Sequence, residues 1–595
     1  MRHTGSVEIL PDPVSTDLLS KPADENILAG FKWGAWFSEE SNLLYLRRDI
    51  FGTVPLYYLH VPGSFVAFST SLVSLVTMPI SKPYLKLDRS RIGNYLSYRQ
   101  DQSRSYSSNS FYKHIKTVLP GHMAVVSPVG VHSNPYVTFS PEKWDKIRSP
   151  EEAGEVFRNY FLKSVEKSLK NTSEPFGSHL SGGMDSSSIS AAVKIFKPES
   201  KLHTLYLDTR TKYSDESSYA STVADEIRST HHNVIPLQND FELISQYTGL
   251  YGHPECMVIS PSAQGSLLEK AAELGCASLL NGHGGDSLVG SGLEHIKQTY
   301  AIRDWDELKE LIPLRARYAT LHRAFRQWDS YDEKTKTKLY TRNLIVNQFF
   351  SDTRKLSIKN TLKLLWSAST TMNVSLWHFL KKGLIAFGNR VFPSKYLPSS
   401  VLLSNFNTTT TSETSKRSTN LLRESLPEKY KIAFDDVFNA QSIVASEEFF
   451  ALSNHYGVEN LYPLYDKDLF EFCMSISMRS KFGEGLGRTH FREAMKGILP
   501  ETVRLRPVKA NFSLYGREAA LRLAKQSADL MKVPENPVWE FVNKEKFDLF
   551  LKILSNDALP EYKHSRSEFF VFRTISFAIW LKWLADNNLY FPEEA

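Results

Sequence analysis

HLSGGMDSSSIS, residues 179–190, changes character half-way along. Ser181, Gly182 and Gly183 close a short strand, and Asp185 opens a helix whose apolar face is Ile189, Ala192, Val193 and Phe196, the spacing of a buried helical stripe. A glycine turn between strand and helix lets backbone N–H groups approach a polyphosphate, and the helix dipole favours its charge. The lysine of G-x-x-x-x-G-K-[ST] is missing, which disfavours a kinase or GTPase loop. Asp185 stands instead, an oxygen ligand suited to Mg²⁺ carried by pyrophosphate. An ordinary glycine turn is the bland alternative.

The S-G-G-x-D-S pattern resembles the pyrophosphate loop of the ATP-pyrophosphatase enzymes, which cleave ATP between its α- and β-phosphates. Downstream, helix and strand signals alternate from Glu151 onward, as in a parallel sheet covered by helices on both faces. LHTLYLDT (202–209) is a strand, SDESSYASTVADEI (214–227) a helix with acidic residues in its first turn, and HHNVIPLQ (231–238) a third strand. A helix with Leu267, Leu268, Ala271 and Leu274 on one face ends at Gly275, before CASLLNGHGGDS (276–287).

Gly282, His283, Gly284, Gly285 and Asp286 in that last stretch resemble the second glycine–aspartate loop of asparagine synthetases and their relatives. Each aspartate follows the carboxyl end of a parallel strand, the edge along which open α/β sheets bind ligands. The resemblance implies ATP and Mg²⁺ as cofactors, with Asp185 and Asp286 meeting over the metal. It places the nucleotide and pyrophosphate against Leu180, Ser181, Gly182, Gly183, Asp185, Ser186, Ser187, Leu207, Asn281, Gly282, Gly284 and Gly285, with His283 toward the substrate. Either aspartate could instead be a cap or turn residue.

A third matching region, GVENLYPLYD (457–466) and GRTHFREAMKGILPETVRLRPVKANFS (487–513), resembles the same family at Glu459, Arg488, Arg492, Arg506, Lys509 and Phe512. A fixed ammonium at Lys509 can stabilise charge building on the α-phosphate; Arg506 belongs to the same catalytic series. Glu459 occupies the place of the glutamate that β-lactam synthetases use with a tyrosine, which makes it a candidate base for the incoming amine.

Within residues 1–140, the stretch from Ile27 to about Ser140 shows short strands broken by turns, and LLYLRRDIFGTVPLYYLH (43–60), FVAFSTSLVSLV (65–76) and FYKHIKTVLPGHMAVV (111–126) resemble part of the glutaminase domain of asparagine synthetases. That family hydrolyses glutamine with a cysteine exposed by removal of Met; here Arg2 follows Met1 and no cysteine precedes Cys256. The expectation is a degenerate glutaminase-like (Ntn-type α+β sandwich) domain that packs on the synthetase and makes no ammonia. Residues 141–150 read as a linker. Residues 151–595 read as the doubly wound α/β synthetase domain, with a helical insert at about 299–450 and a lid-like loop at 405–420. The charge-poor run Lys363–Lys381 reads as a buried helix, and SEFFVFRTISFAIWLKWLADN (567–587) as a buried helix closing the second domain.

A chain of 595 residues with 42% hydrophobic content supports several cores, and its net charge of +6 makes no case for nucleic acid. Cys256, Cys276 and Cys473 fit neither a zinc site nor a disulfide framework, and MRHTGSVEIL has no apolar signal core. A cytoplasmic protein without stable membrane insertion is expected.

Together these point to a ligase that joins a carboxylate to an amine. With Ser287 where ordinary synthetases carry a glutamate, and His283 where they carry an acid, the second loop resembles that of the lasso-peptide cyclases. That resemblance implies a ribosomal precursor peptide as substrate, closed into a macrolactam, with a leader-binding protein and leader peptidase as partners. A small-molecule amide or β-lactam synthetase and a non-catalytic peptide-binding homologue are the alternatives.

Overall fold

The computed structural model describes residues 8–10, 32–97, 106–147, 149–170, 172–211, 213–255, 261–321, 327–353, 356–391, 398, 400–404, 420–507, 509–559 and 561–589. The expected loop at 405–420 lies outside them except for Asn420.

Two four-stranded antiparallel sheets make the N-terminal part. The strands are β1 (Glu8–Leu10), β2 (Trp33–Ser38), β3 (Leu43–Arg48), β4 (Tyr57–Val61), β5 (Phe65–Ser69), β6 (Ile115–Thr117), β7 (His122–Ser127) and β8 (Gly130–Pro135). One sheet runs β1-β5-β4-β6 and the other β2-β3-β7-β8. In β7 buried and partly exposed residues alternate strictly, the period of a strand with one face on a core. This is the sandwich expected from the sequence.

The C-terminal part is built on a five-stranded parallel sheet. Its strands are β9 (Phe176–His179), β10 (Leu202–Leu207), β11 (Thr230–Val234), β12 (Ser278–Leu280) and β13 (Glu459–Leu461), in the order β11-β10-β9-β12-β13. The chain builds outward from β9 through β10 to β11, then returns to β9's other side with β12. The order therefore reverses between β9 and β12, and the loops that leave those two strands face each other across the switch point. Helices α1 (Pro150–Leu169), α2 (Met184–Phe196), α3 (Ser217–Glu226), α4 (Asp240–Tyr251), α5 (Pro261–Glu273) and α6 (Gly285–Val289) accompany the strands. Helix α1 begins inside the stretch expected as linker, because Pro150 takes the first helical position and the Ser149 side chain caps it.

Between β12 and β13 lies the helical insert. Its α7 (Trp305–Tyr318), α8 (Glu333–Asp352), α9 (Ile358–Thr371) and α10 (Leu376–Val391) share a core that includes Leu308, Leu311, Ile345, Phe349 and Phe379. The expectation of one buried helix over Lys363–Lys381 is corrected here. The run is broken between Thr371 and Leu376 into parts of α9 and α10, and Trp366 and Trp377 are 72% and 61% exposed. The low charge of the run hid two amphipathic faces, one of which looks outward.

After α11 (Glu428–Val437), α12 (Ala440–Tyr456) and β13 come α13 (Lys467–Ser475), α14 (Thr489–Ala494) and the long α15 (Glu561–Asp586). Helix α15 does more than close the second domain. Trp580, fully buried, meets Phe111 and Tyr112 of the N-terminal part edge-on, with ring centroids 5.4 and 5.9 Å away.

Candidate active site

The loop after β9 is shaped by one turn residue. Gly182 has φ +73°, and a Cβ there would lie 2.7 Å from the Ala220 backbone nitrogen. Only glycine meets both restrictions. Gly183 is the N-cap of α2 and offers no side chain to its free N–H groups, which leaves them pointing at the loop's mouth. The serines shape the loop from within: Ser186 Oγ accepts from the Ser181 N–H at 3.0 Å and sits 2.9 Å from Ser181 Oγ. Among the described residues, Ser187 Oγ is buried with no hydrogen-bond partner.

The loop after β12 packs directly on this one. Gly284, at φ +89°, leads into α6, and a Cβ on Gly285 would fall 2.3 Å from Asp185 Cγ. A Cβ on Gly282 would fall 3.1 Å from the Ser186 nitrogen. The glycines thus let the two aspartate loops touch. Asn281 anchors the second loop through Asn460, 3.2 Å away on the neighbouring strand β13.

A cationic segment seats itself on the pair. Arg488 Nη1 donates to Asp185 at 2.8 and 3.0 Å, while Nη2 donates to Asp286. Its backbone is left-handed, φ +55°, a conformation held against strain where side-chain placement requires it. Lys509 Nζ also donates to Asp286. Arg506 donates to the Gly182 carbonyl at 3.4 Å, pairs with Glu216, and stacks its guanidinium 4.1 Å from the Tyr219 ring. Arg492 clamps the segment by donating to the carbonyls of Gly487, Arg504 and Arg506.

The charges report a field in cationic excess. Burial, then Arg488 and Arg504, push the Arg492 guanidinium down to about 10. Much of the Lys509 side chain is exposed, yet desolvation of its ammonium lowers its pKa against the attraction of Asp185 and Glu216. Burial raises the Glu216 carboxyl, with Arg506 and the Ala510 N–H pulling it back. Such an assembly is built to receive an anion.

Among the described residues no group of three or more His, Cys, Asp or Glu could hold a metal ion. Asp185 and Asp286 are two oxygen donors beside a phosphate-sized cradle, which fits a Mg²⁺ that brings phosphates and waters as its other ligands. Leu207 ends β10, and beyond it opens a cleft of about 240 Å³ lined by Asp208, Arg210, Thr211, Asp215, Ser217 and Asn233. Two of its lining residues, Asp215 and Ser217, bracket Glu216 in the chain.

Two features now carry an assignment: the paired aspartate loops at a switch point, and a downstream Arg/Lys segment folded back onto them. The asparagine synthase family matches residues 156–582, more than half of the sequence and inclusive of every residue just described. This chain belongs to the asparagine synthase family. The glutamine amidotransferase domain matches residues 28–137. Similar proteins include one from Methanocaldococcus jannaschii provisionally named a glutamine-hydrolysing asparagine synthetase, 24% identical over 293 residues, 44% of this chain and 50% of that one. Glutamine-hydrolysing asparagine synthetase 3 of Bacillus subtilis is 26% identical over 223 residues, 35% of each chain. Amidase chry2 of Gibberella zeae is 25% identical over 279 residues, 44% of this chain and 39% of that one. The chain spans about half or less of the length of these relatives.

Within this family member, the structure gathers Leu180, Ser181, Gly182, Gly183, Asp185, Ser186, Ser187, Gly282, Gly284, Gly285, Asp286, Arg506 and Lys509 around one mouth. Glu459 is placed apart: it opens β13 at the strand's amino end, and its carboxylate, half exposed, pairs with Lys32 at 2.5 Å. His283 turns into an aromatic box of Phe449, Tyr462 and Tyr465, and burial lowers its pKa. Packing accounts for it there. Sequence reasoning missed Glu216, taken for a first-turn helix acid, although α3 starts only at Ser217. It also passed over Arg488 as a site residue, though the flanking Gly485 and Gly487, at φ +90° and +83°, were a readable sign of a forced turn.

Proposed function

We propose that this protein is an ATP-dependent, AMP-forming carbon–nitrogen ligase acting on a small-molecule carboxylate, in the manner of an asparagine synthetase. The observation that carries the proposal is the Asp185–Arg488–Asp286–Lys509 cluster set against the Gly182–Gly183 cradle. ATP is a substrate here. A carboxylate oxygen attacks the α-phosphorus, and the bond to the bridging oxygen of pyrophosphate breaks. An unprotonated amine nitrogen then attacks the acyl carbon; the bond to AMP breaks, the nitrogen's extra proton leaves to solvent, and an amide remains. Mg²⁺, held by Asp185 and Asp286, would neutralise phosphate charge. The N–H groups at Gly183 and the start of α2 bind the departing pyrophosphate, while Arg506 fixes the loop through Gly182 and Lys509 offsets charge at the reacting phosphate. The pairing of Arg488 with both aspartates gives way to bound nucleotide, since guanidinium and metal compete for the same oxygens.

A peptide carboxylate closed onto its own N-terminal amine, as in lasso-peptide cyclases, is the second reading. Ser287 in place of a glutamate supports it, and with it a precursor peptide, a leader-binding protein and a leader peptidase as partners.

The test is to incubate the protein with Mg-ATP and a panel of carboxylates with ammonium, glutamine or amines, and separately with a leader-free precursor peptide. AMP and pyrophosphate formed in step with an amide, and abolished by Asp286→Asn, are expected. ADP and phosphate as products sink the proposal. Dehydration of the peptide with no small-molecule turnover selects the second reading.

A further inference from the structure

Among the described residues, no element covers an outward apolar face of the insert. Ile358, Leu362 and Trp366 on α9 and Trp377, Leu380 and Leu384 on α10 are each 60–81% exposed. On α9 these residues recur every fourth position, which lines them up along one side. The opposite side of the same helix supplies Leu364 and Ala368 to the insert's core, and α10 supplies Phe379. Both helices are therefore apolar on two faces, and among the described residues only the inner one is packed. Six large side chains on two consecutive helices, both packed on α8, exceed the scattered surface residues ordinary in a protein.

Charge decides what fits there. From 353 to 412 the sequence holds eight Lys and Arg and no Asp or Glu, although the whole chain is nearly balanced at 71 basic and 65 acidic residues. Lys359, Lys363 and Lys381 edge the apolar stripes and are exposed. His378 on α10 lies among cations too: after burial, Arg342 and Lys338 of α8 and Lys381 of α10 lower its pKa. Tryptophan and leucine bordered by lysines, on two helices that carry no acid of their own, is the pattern of a surface that rests in the headgroup region of an anionic bilayer. No helix of the described residues is long and apolar enough to cross a membrane, so the contact is peripheral.

We propose that the α9–α10 face is a docking surface for anionic lipid membranes, holding the ligase against a bilayer by Trp366, Trp377 and their leucine neighbours, with lysines on the headgroups. A second copy of the chain would bring its own Lys359, Lys363 and Lys381 against the same three lysines, which disfavours self-association. The inference does not depend on which carboxylate the active site takes.

Flotation of the full chain with vesicles tests it, using phosphatidylcholine alone and phosphatidylcholine with a minority of phosphatidylglycerol. Binding to the anionic vesicles only, weakened by added salt, is expected. Trp366→Ser with Trp377→Ser should lower partition about tenfold or more, and Lys359→Glu or Lys363→Glu about fivefold each. All four side chains are exposed, so thermal melting of the variants should match the parent. Absence of binding to anionic vesicles, or equal binding to neutral ones, overturns the proposal. So does a dimer in light scattering that the double tryptophan variant abolishes while vesicles capture nothing, which would reassign the face to a second copy.

Discussion

Gly285 carries the tightest packing restriction in the site, because the space a methyl group would take is filled by the Asp185 carboxylate. Gly285→Ala should destabilise the fold by about 1–3 kcal/mol and displace Asp185, so AMP formation should fall well beyond what lost stability explains. Melting curves and initial rates on the same preparation check both. Lys509 is the opposite case: its side chain is 63% exposed. Lys509→Met should leave melting unchanged and lower kcat for AMP release by about 10²–10³-fold; a loss below tenfold removes Lys509 from the chemistry. At the end of β9, burial pushes the His179 imidazole down from 6.5 to about 4. The folded state thus binds its proton less readily than the unfolded chain. Its contribution is complete above pH 6.5 and is lost as pH falls from there toward 4, amounting to about 3 kcal/mol. Urea titrations of the parent and His179→Asn across that window should converge on the acid side.

The short helix α14 shows how an element places a side chain of the site. Arg488 is its N-cap, and the helix is pinned to α1 by Phe491, fully buried with its ring centroid 4.7 Å from that of Phe157. Gly485, just upstream, presses on the α7 backbone at Leu314, and its carbonyl accepts from Arg315 at 3.1 Å. Sheet, α1 and insert thereby converge on the turn that aims Arg488. Phe491→Ala should cost about 3–5 kcal/mol, and what folds should show a lowered KM for Mg-ATP, since Arg488, its mount loosened, competes less with the metal for the two aspartates. Denaturant unfolding and steady-state kinetics separate the two effects.

Across the whole molecule, the N-terminal sandwich and the synthetase part share their cores. Phe51 stacks on Tyr465 at 4.9 Å, and Phe139 meets Phe470 edge-on at 5.2 Å. Arg48, fully buried on β3, donates to Glu447 of α12 at 2.8 Å and to the carbonyls of Val118 and Gly52. Removing one member of such a pair strands the other charge away from water. Arg48→Ala should therefore cost about 3–5 kcal/mol, and pairing it with Glu447→Leu should recover much of that loss. Calorimetry should show one transition for both parts, because neither buries its interface alone.

Much of this was legible in the residues. The glycines of 182–183 and 282–285, each following an apolar strand, announce turns that only a close backbone approach requires, and the alternation beyond Glu151 implies a parallel sheet. Local pattern suffices there because turn chemistry and strand periodicity act over a few residues. Tertiary structure alone decided that Arg488 bridges Asp185 and Asp286 from some 200–300 positions away in the chain, and that Glu216 answers Arg506 instead of a helix dipole. It alone set Glu459 on Lys32 and enclosed His283 in aromatic rings. It also turned a charge-poor run into two helices with an outward face, since burial depends on what packs against a helix, and sequence spacing records only that a stripe exists.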